Sequence, residues 1–319
     1  MWLYHKRPGL PRQILWALGH HLTKESVKSM FIDIHAHAYR RPYPGPNGKA
    51  VFSTPEQILK RHDELGIEKA VLLPLVNPEV YLPQSNEDIL EMVESYEGRF
   101  IPFCNIDPRA ITNTSDAPLG YILRYYRDCG CKGIGEVLPN MEFRDPLLQN
   151  LLKHIEEVEF PFIFDATGYK GKSYGLYDDV GMPQLEECLR KFPKIPFLGH
   201  GPAFWAEIGR LRVPIDRYGY PKYPIDEEGA VPKLMRKYPN LYGDLSAGSG
   251  SNALMRDPDY AVGFLNEFGD RLLFGTDICA HDQPVPLVDF LLSLLEKKKI
   301  SNTVFQKIAK GNAIKLLKL

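Results

Sequence analysis

Short apolar runs alternate with helical patterns about eight times between residue 31 and the C-terminus. Strand-helix alternation of this kind is typical of βαβ units and of a parallel sheet. Most of the runs are continuously apolar, as expected of strands that are buried on both faces. The predicted strands are residues 30–35, 69–75, 100–106, 132–137, 161–166, 195–200, 240–246 and 271–277. Eight such units in about 290 residues match the size of a (β/α)8 TIM barrel, so we predict that fold in the α/β class.

Capping signals mark the ends of two helices in this pattern. Thr54 is the predicted N-cap of a helix that ends at Gly66, because Gln57 and Pro55 stand where a capping box and a first helical turn need them. Ser85 opens a second predicted helix, whose stop signal is the next glycine, at position 98. Both helices lie between predicted strands, so they support the barrel.

Composition restricts the partners that this chain can have. Of its 319 residues 44% are hydrophobic and 25% are charged, and the formal net charge is -1. A balanced charge without long runs of one sign gives no electrostatic basis for binding nucleic acid or an anionic membrane. The five cysteines are scattered without Cys-x-x-Cys spacing, which argues against a disulfide framework. We therefore expect a small-molecule substrate, no nucleic-acid partner and a reducing, cytoplasmic location.

Two segments stand outside the repeating pattern. Residues 1–30 form a basic extension for which we predict a helix, and its longest apolar run, ILWAL, is too short to span a membrane. Residues 31–319 form the predicted barrel domain. A Pro- and Tyr-rich insertion at residues 210–230 is expected on the upper rim of the barrel, because loops of that length in a compact domain are usually functional or mobile.

The first strand carries two histidines on one face. His35 and His37 stand two residues apart in FIDIHAHAY, and side chains at i and i+2 of a strand point to the same side, together with Asp33. Two imidazoles that converge on one point are what a divalent metal needs. The alternative is a polar strand end with two hydrogen-bonded histidines.

Polar side chains end most of the other predicted strands. Since the active site of a (β/α)8 barrel lies at the carboxyl ends of its strands, these residues should meet at one rim. Histidines and carboxylates brought together from separate strands favour a metal site over a structural accident. The residues at these strand ends are His35, His37, Glu136, Asp165, His200, Asp244 and Asp277.

Five motifs give the chain a family resemblance. They are D-I-H-A-H (33–37), F-L-G-H-G (197–201), N-L-Y-G-D-L-S (240–246), L-F-G-T-D (273–277) and G-N-A-I-K-L-L (311–317). In this order and on these strands they resemble the amidohydrolase-related branch of the amidohydrolase superfamily. That branch has the metal-dependent (β/α)8 barrel as its fold, and its barrels commonly form dimers, so a homodimer is one expected state.

The resemblance implies roles for four of the residues. His35 and His37 would bind a divalent metal, typically Zn²⁺. Asp277 would be a metal ligand and the proton-transfer group. His200 would be a ligand of a second ion or would polarise the substrate.

Two carboxylates leave the number and kind of ions open. Glu136 in K-G-I-G-E-V is similar to the bridging glutamate of TatD-type nucleases, which would allow two ions. A buried carboxylate paired with Lys132 or an arginine is the alternative. Asp165 stands where many members have a histidine. Aspartate is a harder ligand that adds negative charge, so one ion, a preference for Mn²⁺ or Fe²⁺, and loss of the metal all stay open.

Three functions are consistent with these residues. The resemblance favours a metal-dependent hydrolase that uses activated water on a small amide, ester or lactone, with Asp277 and His200 as catalytic groups. The same branch contains metal-dependent decarboxylases of aromatic and dienoic acids, which is the runner-up. The third is a non-catalytic barrel with a degraded metal site, for which Asp165 is the only support.

Residues near the predicted site suggest the charge of the substrate. Tyr39, Arg40 and Arg41 follow the first histidines, together with Tyr43, and Trp205 follows His200 by five positions. Arginines and aromatic rings beside a metal suit an anionic substrate, and we predict that these groups bind it. The alternative is a packed loop with solvated arginines.

Overall fold

A computed structural model of the chain describes residues 30–42, 48, 51–80 and 83–319. The helix predicted within residues 1–30 and the side chain at position 43 lie outside these residues. Nine strands are present in the described part of the chain, eight of them at the predicted places. They are β1 (Phe31–Ala36), β2 (Ile67–Leu72), β3 (Phe100–Pro102), β4 (Ile134–Val137), β5 (Phe162–Thr167), β6 (Leu176–Tyr177), β7 (Phe197–His200), β8 (Leu241–Asp244) and β9 (Leu272–Leu273).

Helices separate the strands along the chain. They are α1 (Pro55–Leu65), α2 (Asn86–Ser95), α3 (Gly120–Asp128), α4 (Pro146–Val158), α5 (Pro183–Lys191), α6 (Pro202–Ala206), α7 (Ala230–Lys237), α8 (Ala247–Met255), α9 (Pro258–Phe268), α10 (Pro286–Glu296), α11 (Asn302–Gln306) and α12 (Asn312–Leu317). A 3-10 helix spans Pro214–Tyr218 and a π-helical turn spans Lys307–Gly311. Among the described residues, none of the helices has the length and apolar character needed to cross a membrane.

The strands close into a barrel of parallel neighbours. One run is β1-β2-β3 and the other is β4-β5-β7-β8-β9, and every strand pair in both is parallel. Parallel bridges close the two seams, from Cys104 to Ile134 and from Ala36 to Ile278. The short β6, which the sequence pattern did not predict, pairs with the outer end of β5. The (β/α)8 barrel is therefore confirmed.

The helix boundaries follow the capping residues closely. Helix α1 begins after Thr54 and ends at Gly66, whose φ of 74° is the left-handed conformation that glycine adopts without strain. Ser85 caps α2 by accepting a hydrogen bond from the Asp88 backbone N–H. That helix ends at Ser95 rather than near Gly98, so the predicted stop was late.

Apolar side chains fill the inside of the barrel and the layer between strands and helices. The inner cluster includes Ile32, Ile34, Val71, Leu73, Ile101, Phe103, Ile163, Leu198 and Leu273. A larger cluster packs the outer faces of the strands against the helices. Because both faces of the strands are buried, the polar side chains at the strand ends can approach solvent only at the carboxyl rim.

The long insertion lies at that rim, as predicted. The Tyr218 ring stacks on Tyr169, which follows β5, with ring centroids 4.2 Å apart. The Asn252 side chain on α8, the helix that follows β8, donates a hydrogen bond to the Pro221 carbonyl. Since both contacts lie beyond the carboxyl ends of their strands, the insertion borders the mouth of the barrel.

Candidate metal centre

Strand β1 places His35 and His37 side by side at the carboxyl rim. Both are buried, and their Nε2 atoms are 3.1 Å apart. Asp33, which the sequence pattern placed on their side of the strand, instead accepts hydrogen bonds from the His35 and Thr276 backbone N–H groups and lies 3.5 Å from His62 of helix α1. It therefore ties β1 to the chain beyond β9 and is not part of the histidine cluster.

Hydrogen bonds at the other ring nitrogens fix which way these histidines face. His37 Nδ1 lies 3.0 Å from the Leu73 carbonyl oxygen, and His35 Nδ1 lies 2.7 Å from Asp244 Oδ2. A carbonyl or carboxylate oxygen only accepts, so each Nδ1 carries the proton when the ring is neutral. In the neutral rings the two Nε2 lone pairs then face each other, and either a proton or a metal cation between them makes this arrangement favourable. The two residues fit a divalent metal ion.

Two carboxylates complete this group. Glu136 Oε2 lies 3.5 Å from His35 Nε2 and 3.6 Å from His37 Nε2, and Asp277 Oδ1 lies 3.5 Å from both nitrogens. Ligand atoms about 2.0–2.1 Å from a tetrahedral zinc ion stand about 3.3 Å apart. The measured separations are close to that value, so the four side chains could hold one ion.

His200 and Asp165 extend the group on the far side of Glu136. His200 Nε2 lies 3.7 Å from Glu136 Oε1 and 3.9 Å from Asp165 Oδ2. Glu136 thus directs one carboxylate oxygen at the His35–His37 pair and the other at His200. A second ion could be held between these three residues.

The buried carboxylates of the cluster have strongly shifted pKa values. Burial would raise the pKa of Glu136, but the neighbouring His35 lowers it well below its usual range. Burial, followed by repulsion from Glu136 and Asp277, raises the pKa of Asp165 far above its usual range. Buried carboxylates that crowd one another in this way are typical of sites that bind cations.

Glycine backbones enclose the Asp165 carboxylate. A Cβ atom on Gly175 would lie 2.5 Å from Asp165 Oδ1, and one on Gly201 would lie 2.9 Å from its Cγ. Both glycines have positive φ, 99° and 93°. The loop after β5, at Gly175, and the chain after β7, at Gly201, therefore close over Asp165, and no pattern in the sequence indicates these contacts.

The metal-free cluster should make folding stability depend on pH. Burial lowers the pKa of His37, but hydrogen bonds to Asp277 and Glu136 outweigh it and raise that pKa to about 9. A folded-state pKa above the usual 6.5 adds stability below about pH 6.5, and that stability is lost as the pH rises through 9. We expect a lower melting temperature in chelator at pH 9.5 than at pH 6.5, and tighter Zn²⁺ binding at the higher pH.

Thermal denaturation at the two pH values checks this expectation. A His37→Gln variant, which has no imidazole to titrate, is the matched control and should show a smaller difference. A wild-type melting temperature in chelator that stays level or rises with pH would contradict the assignment.

Among the predicted substrate-binding residues, the arginines are exposed. Arg40 forms ion pairs with Asp88 and Glu91 of α2, and Arg41 is exposed beside it. None of the contacts described for Arg40 joins it to the histidine cluster, so its contact with substrate stays a prediction.

The two aromatic residues of that set are buried. The Tyr39 ring packs against Phe52 with ring centroids 4.4 Å apart and an angle of 36° between the ring planes. The Trp205 side chain is 1% exposed, and its Nε1–H donates a 2.8 Å hydrogen bond to the Asp244 carbonyl oxygen. The structure places Trp205 in the core, and its predicted contact with substrate is not supported by these neighbours.

Two functional candidates escaped the sequence analysis. Asp244 was placed at the rim but without a role, and it contacts His35 and His200. Tyr174 lies in the glycine-rich segment 168–175 after β5, and its phenol has a raised pKa, first because of Asp165 and then because of burial. The pattern of residues around a rim loop carries no signal for such contacts.

Comparison with known protein families gives one match along most of the chain. A family model described as amidohydrolase matches residues 32–319. A comparison with curated proteins finds no match.

Solved structures that resemble the chain share its fold at low identity. An uncharacterized TIM-barrel protein of Bordetella bronchiseptica is 19% identical with a TM-score of 0.62, covering 90% of this chain and 98% of that chain. An amidohydrolase of Burkholderia multivorans with bound zinc is 13% identical, with a TM-score of 0.57 and coverages of 91% and 100%. A 2,6-dihydroxybenzoate decarboxylase of Rhizobium is 15% identical, with a TM-score of 0.55 and coverages of 91% and 99%. At these identities the likeness concerns the fold alone.

Proposed function

The chain belongs to the amidohydrolase family, and from that premise we propose that it is a metal-dependent hydrolase acting on a small amide, ester or lactone. Members of this superfamily include hydrolases and decarboxylases, so the family alone leaves the reaction open. In the proposed centre, His35, His37 and Asp277 would hold one divalent ion, and Glu136 and His200, beside Asp165, would hold a second. The B. multivorans amidohydrolase holds zinc, and zinc is the first candidate here; the oxygen-rich second position, with Asp165, also suits Mn²⁺ or Fe²⁺.

The position of Glu136 is the observation that carries this proposal. Its Oε2 faces His35 and His37 at 3.5 and 3.6 Å, and its Oε1 faces His200 at 3.7 Å. A carboxylate with one oxygen directed to each of two imidazole groups could act as a ligand on both of its sides. A carboxylate serving one ion has no need of a second imidazole on its other side.

The side chains of the cluster have different roles in the proposed hydrolysis. A divalent cation supplies Lewis acidity, which lowers the pKa of water from about 15.7 to about 7 and polarises a carbonyl oxygen. Asp277 takes the proton of the attacking water and passes it to the leaving group. Its side chain is 26% exposed while that of Glu136 is 7% exposed, so Asp277 is the carboxylate that substrate can reach. Where His200 is not a ligand, it polarises the substrate.

The proposed substrate is small and anionic. Arg41 and Arg40 are exposed just after the His-x-His strand, where guanidinium groups can attract a carboxylate. Arg40 would have to leave Asp88 and Glu91 to reach it. We therefore propose Arg41 before Arg40 as the group that attracts the substrate.

A decarboxylase is the second candidate, and Asp165 favours it. Burial and the neighbouring Glu136 raise the pKa of Asp165 well above its usual range, which favours the protonated form of this carboxyl. A protonated carboxyl 3.9 Å from His200 could supply a proton to a carbon atom, which decarboxylation requires. Such chemistry would use Asp165 as an acid and not as a ligand.

Isotope labelling separates the two reactions. The zinc-loaded protein is incubated in H₂¹⁸O with a panel of lactones, esters, amides and hydroxybenzoic acids, and products are analysed by mass spectrometry. The proposal expects one ¹⁸O atom in a new carboxylate product. Release of carbon dioxide without ¹⁸O in the organic product would replace the hydrolase with the decarboxylase.

A further inference from the structure

We propose that Asp244 is a positioning residue that fixes the tautomers of His35 and His200 and so couples the two halves of the metal centre. This inference rests on the proposed function, because it assigns to both imidazoles the task of presenting Nε2 to a cation. It concerns a buried carboxylate that does not itself point at the space between the proposed ligands.

One oxygen of Asp244 contacts histidines from two different strands. Asp244 ends β8 and is completely buried. Its Oδ2 lies 2.7 Å from His35 Nδ1, on β1, and 3.3 Å from His200 Nδ1, on β7. The two imidazole rings have their centroids 4.4 Å apart. A single acceptor therefore faces the Nδ1 side of both rings.

The other oxygen of Asp244 is also an acceptor. Oδ1 accepts a 3.0 Å hydrogen bond from the Ser246 backbone N–H. The hydroxyl of the same serine lies 2.9 Å from His200 Nδ1, which gives that ring a second partner on the same side. Because donors face both carboxylate oxygens, this position requires a group that only accepts.

The core holds this carboxylate in place. The Trp205 indole N–H donates to the Asp244 carbonyl oxygen at 2.8 Å, and the Trp205 ring lies close enough to Gly243 that a Cβ there would be 2.9 Å from it. Strand β8 therefore has little freedom to move Asp244 away from either ring. A rigid acceptor can impose one tautomer on its partners.

Asp244 would therefore set the tautomer of two of the proposed metal ligands, His35 and His200. With Nδ1–H of His35 held by Asp244, its Nε2 lone pair faces His37, Glu136 and Asp277. With Nδ1–H of His200 held by the same oxygen, its Nε2 faces the other oxygen of Glu136. A change at Asp244 should disturb both halves at once.

Asp244→Asn tests this coupling with almost no change in shape. The asparagine amide has one oxygen and one NH₂ group. Its NH₂ group must face either the Ser246 N–H or the Nδ1–H groups of the histidines, so on one side two hydrogen-bond donors face each other with no acceptor. If the NH₂ group faces His35, relief requires the other tautomer, whose Nε2–H cannot bind a metal. We expect both zinc ions to bind about 10- to 100-fold more weakly than in the wild type.

Ser246→Ala is the matched control. It removes only the hydroxyl partner of His200 and leaves the backbone N–H that Asp244 accepts, so only one of the two zinc ions should bind more weakly. Zinc affinities are measured by competition with a chromophoric chelator, and thermal denaturation of each metal-free variant checks that it is folded.

The outcomes separate this inference from the proposed function. Suppose that the wild-type protein takes up two zinc ions. An Asp244→Asn variant that binds both ions with unchanged affinity, or only one of them more weakly, would then overturn the role of Asp244 alone. Wild-type protein that binds no zinc would overturn the proposed function as well. If Asp244→Asn does not fold, ¹⁵N chemical shifts of the histidines in the zinc-loaded wild type decide, and an Nε2–H tautomer at His35 would overturn the inference.

Discussion

Asp277→Asn should lower turnover by about 10²- to 10⁴-fold at saturating zinc while the protein keeps its fold. The substitution removes the group that takes the proton from water, and an amide cannot accept it. The backbone should tolerate the change, because Asp277 has a φ of 50° and asparagine readily adopts that left-handed conformation. The hydrogen bond from the Asp277 backbone N–H to the His35 carbonyl oxygen is retained.

Asp282→Asn supplies the control for this experiment. Asp282 is an exposed carboxylate in the same loop, so its substitution makes the same chemical change away from the cluster and should leave turnover unaltered. Both variants are assayed with whichever substrate the labelling panel identifies, after their zinc content is measured. Wild-type turnover in a zinc-loaded Asp277→Asn variant would remove Asp277 from proton transfer.

Trp205→Ala should cost about 3–5 kcal/mol of the free energy of unfolding, because it empties a fully buried site. The ring packs edge-to-face against Phe204 and Phe264, with centroids 5.1 and 6.3 Å away. Loss of the indole N–H would also leave the Asp244 carbonyl oxygen without its hydrogen-bond donor. Urea unfolding of the variant and the wild type measures the difference.

Trp205→Phe separates the core role from the predicted substrate contact. Phenylalanine keeps most of the buried ring and loses the hydrogen bond, so we expect a smaller loss of stability than in the alanine variant. If Trp205 acts only through the core, KM should stay near the wild-type value. A large rise in KM with little loss of stability would instead restore the predicted contact with substrate.

The sequence was sufficient for the barrel because its signals are local. Continuous apolar runs such as PFIFDA identify buried parallel strands, and capping residues such as Thr54 and Ser85 mark where helices start. The side-chain period of two along a strand was enough to bring His35 and His37 together. Because the carboxyl ends of barrel strands share one rim, the sequence also predicted that carboxylates from distant parts of the chain lie near these histidines.

Contacts that depend on the packing of distant segments could not be predicted from this local information. Asp244 is 209 positions away from His35, and which strand-end carboxylate meets which imidazole depends on how the strands are staggered around the barrel. Trp205 follows a rim histidine in sequence, but the short helix α6 turns it into the core. Arg40 forms ion pairs with Asp88 and Glu91, which are near it only because of where helix α2 packs.

The metal content of the purified protein tests the central claim most directly. Wild-type, His35→Ala and Glu136→Gln proteins are loaded with zinc, dialysed, and analysed by plasma mass spectrometry, with circular dichroism to confirm folding. The account predicts two equivalents in the wild type, and loss of at least one in each variant. No zinc in the wild type under any loading condition would contradict it and leave a non-catalytic barrel. An unchanged zinc content in His35→Ala would contradict the assignment of the site to the His35–His37 pair.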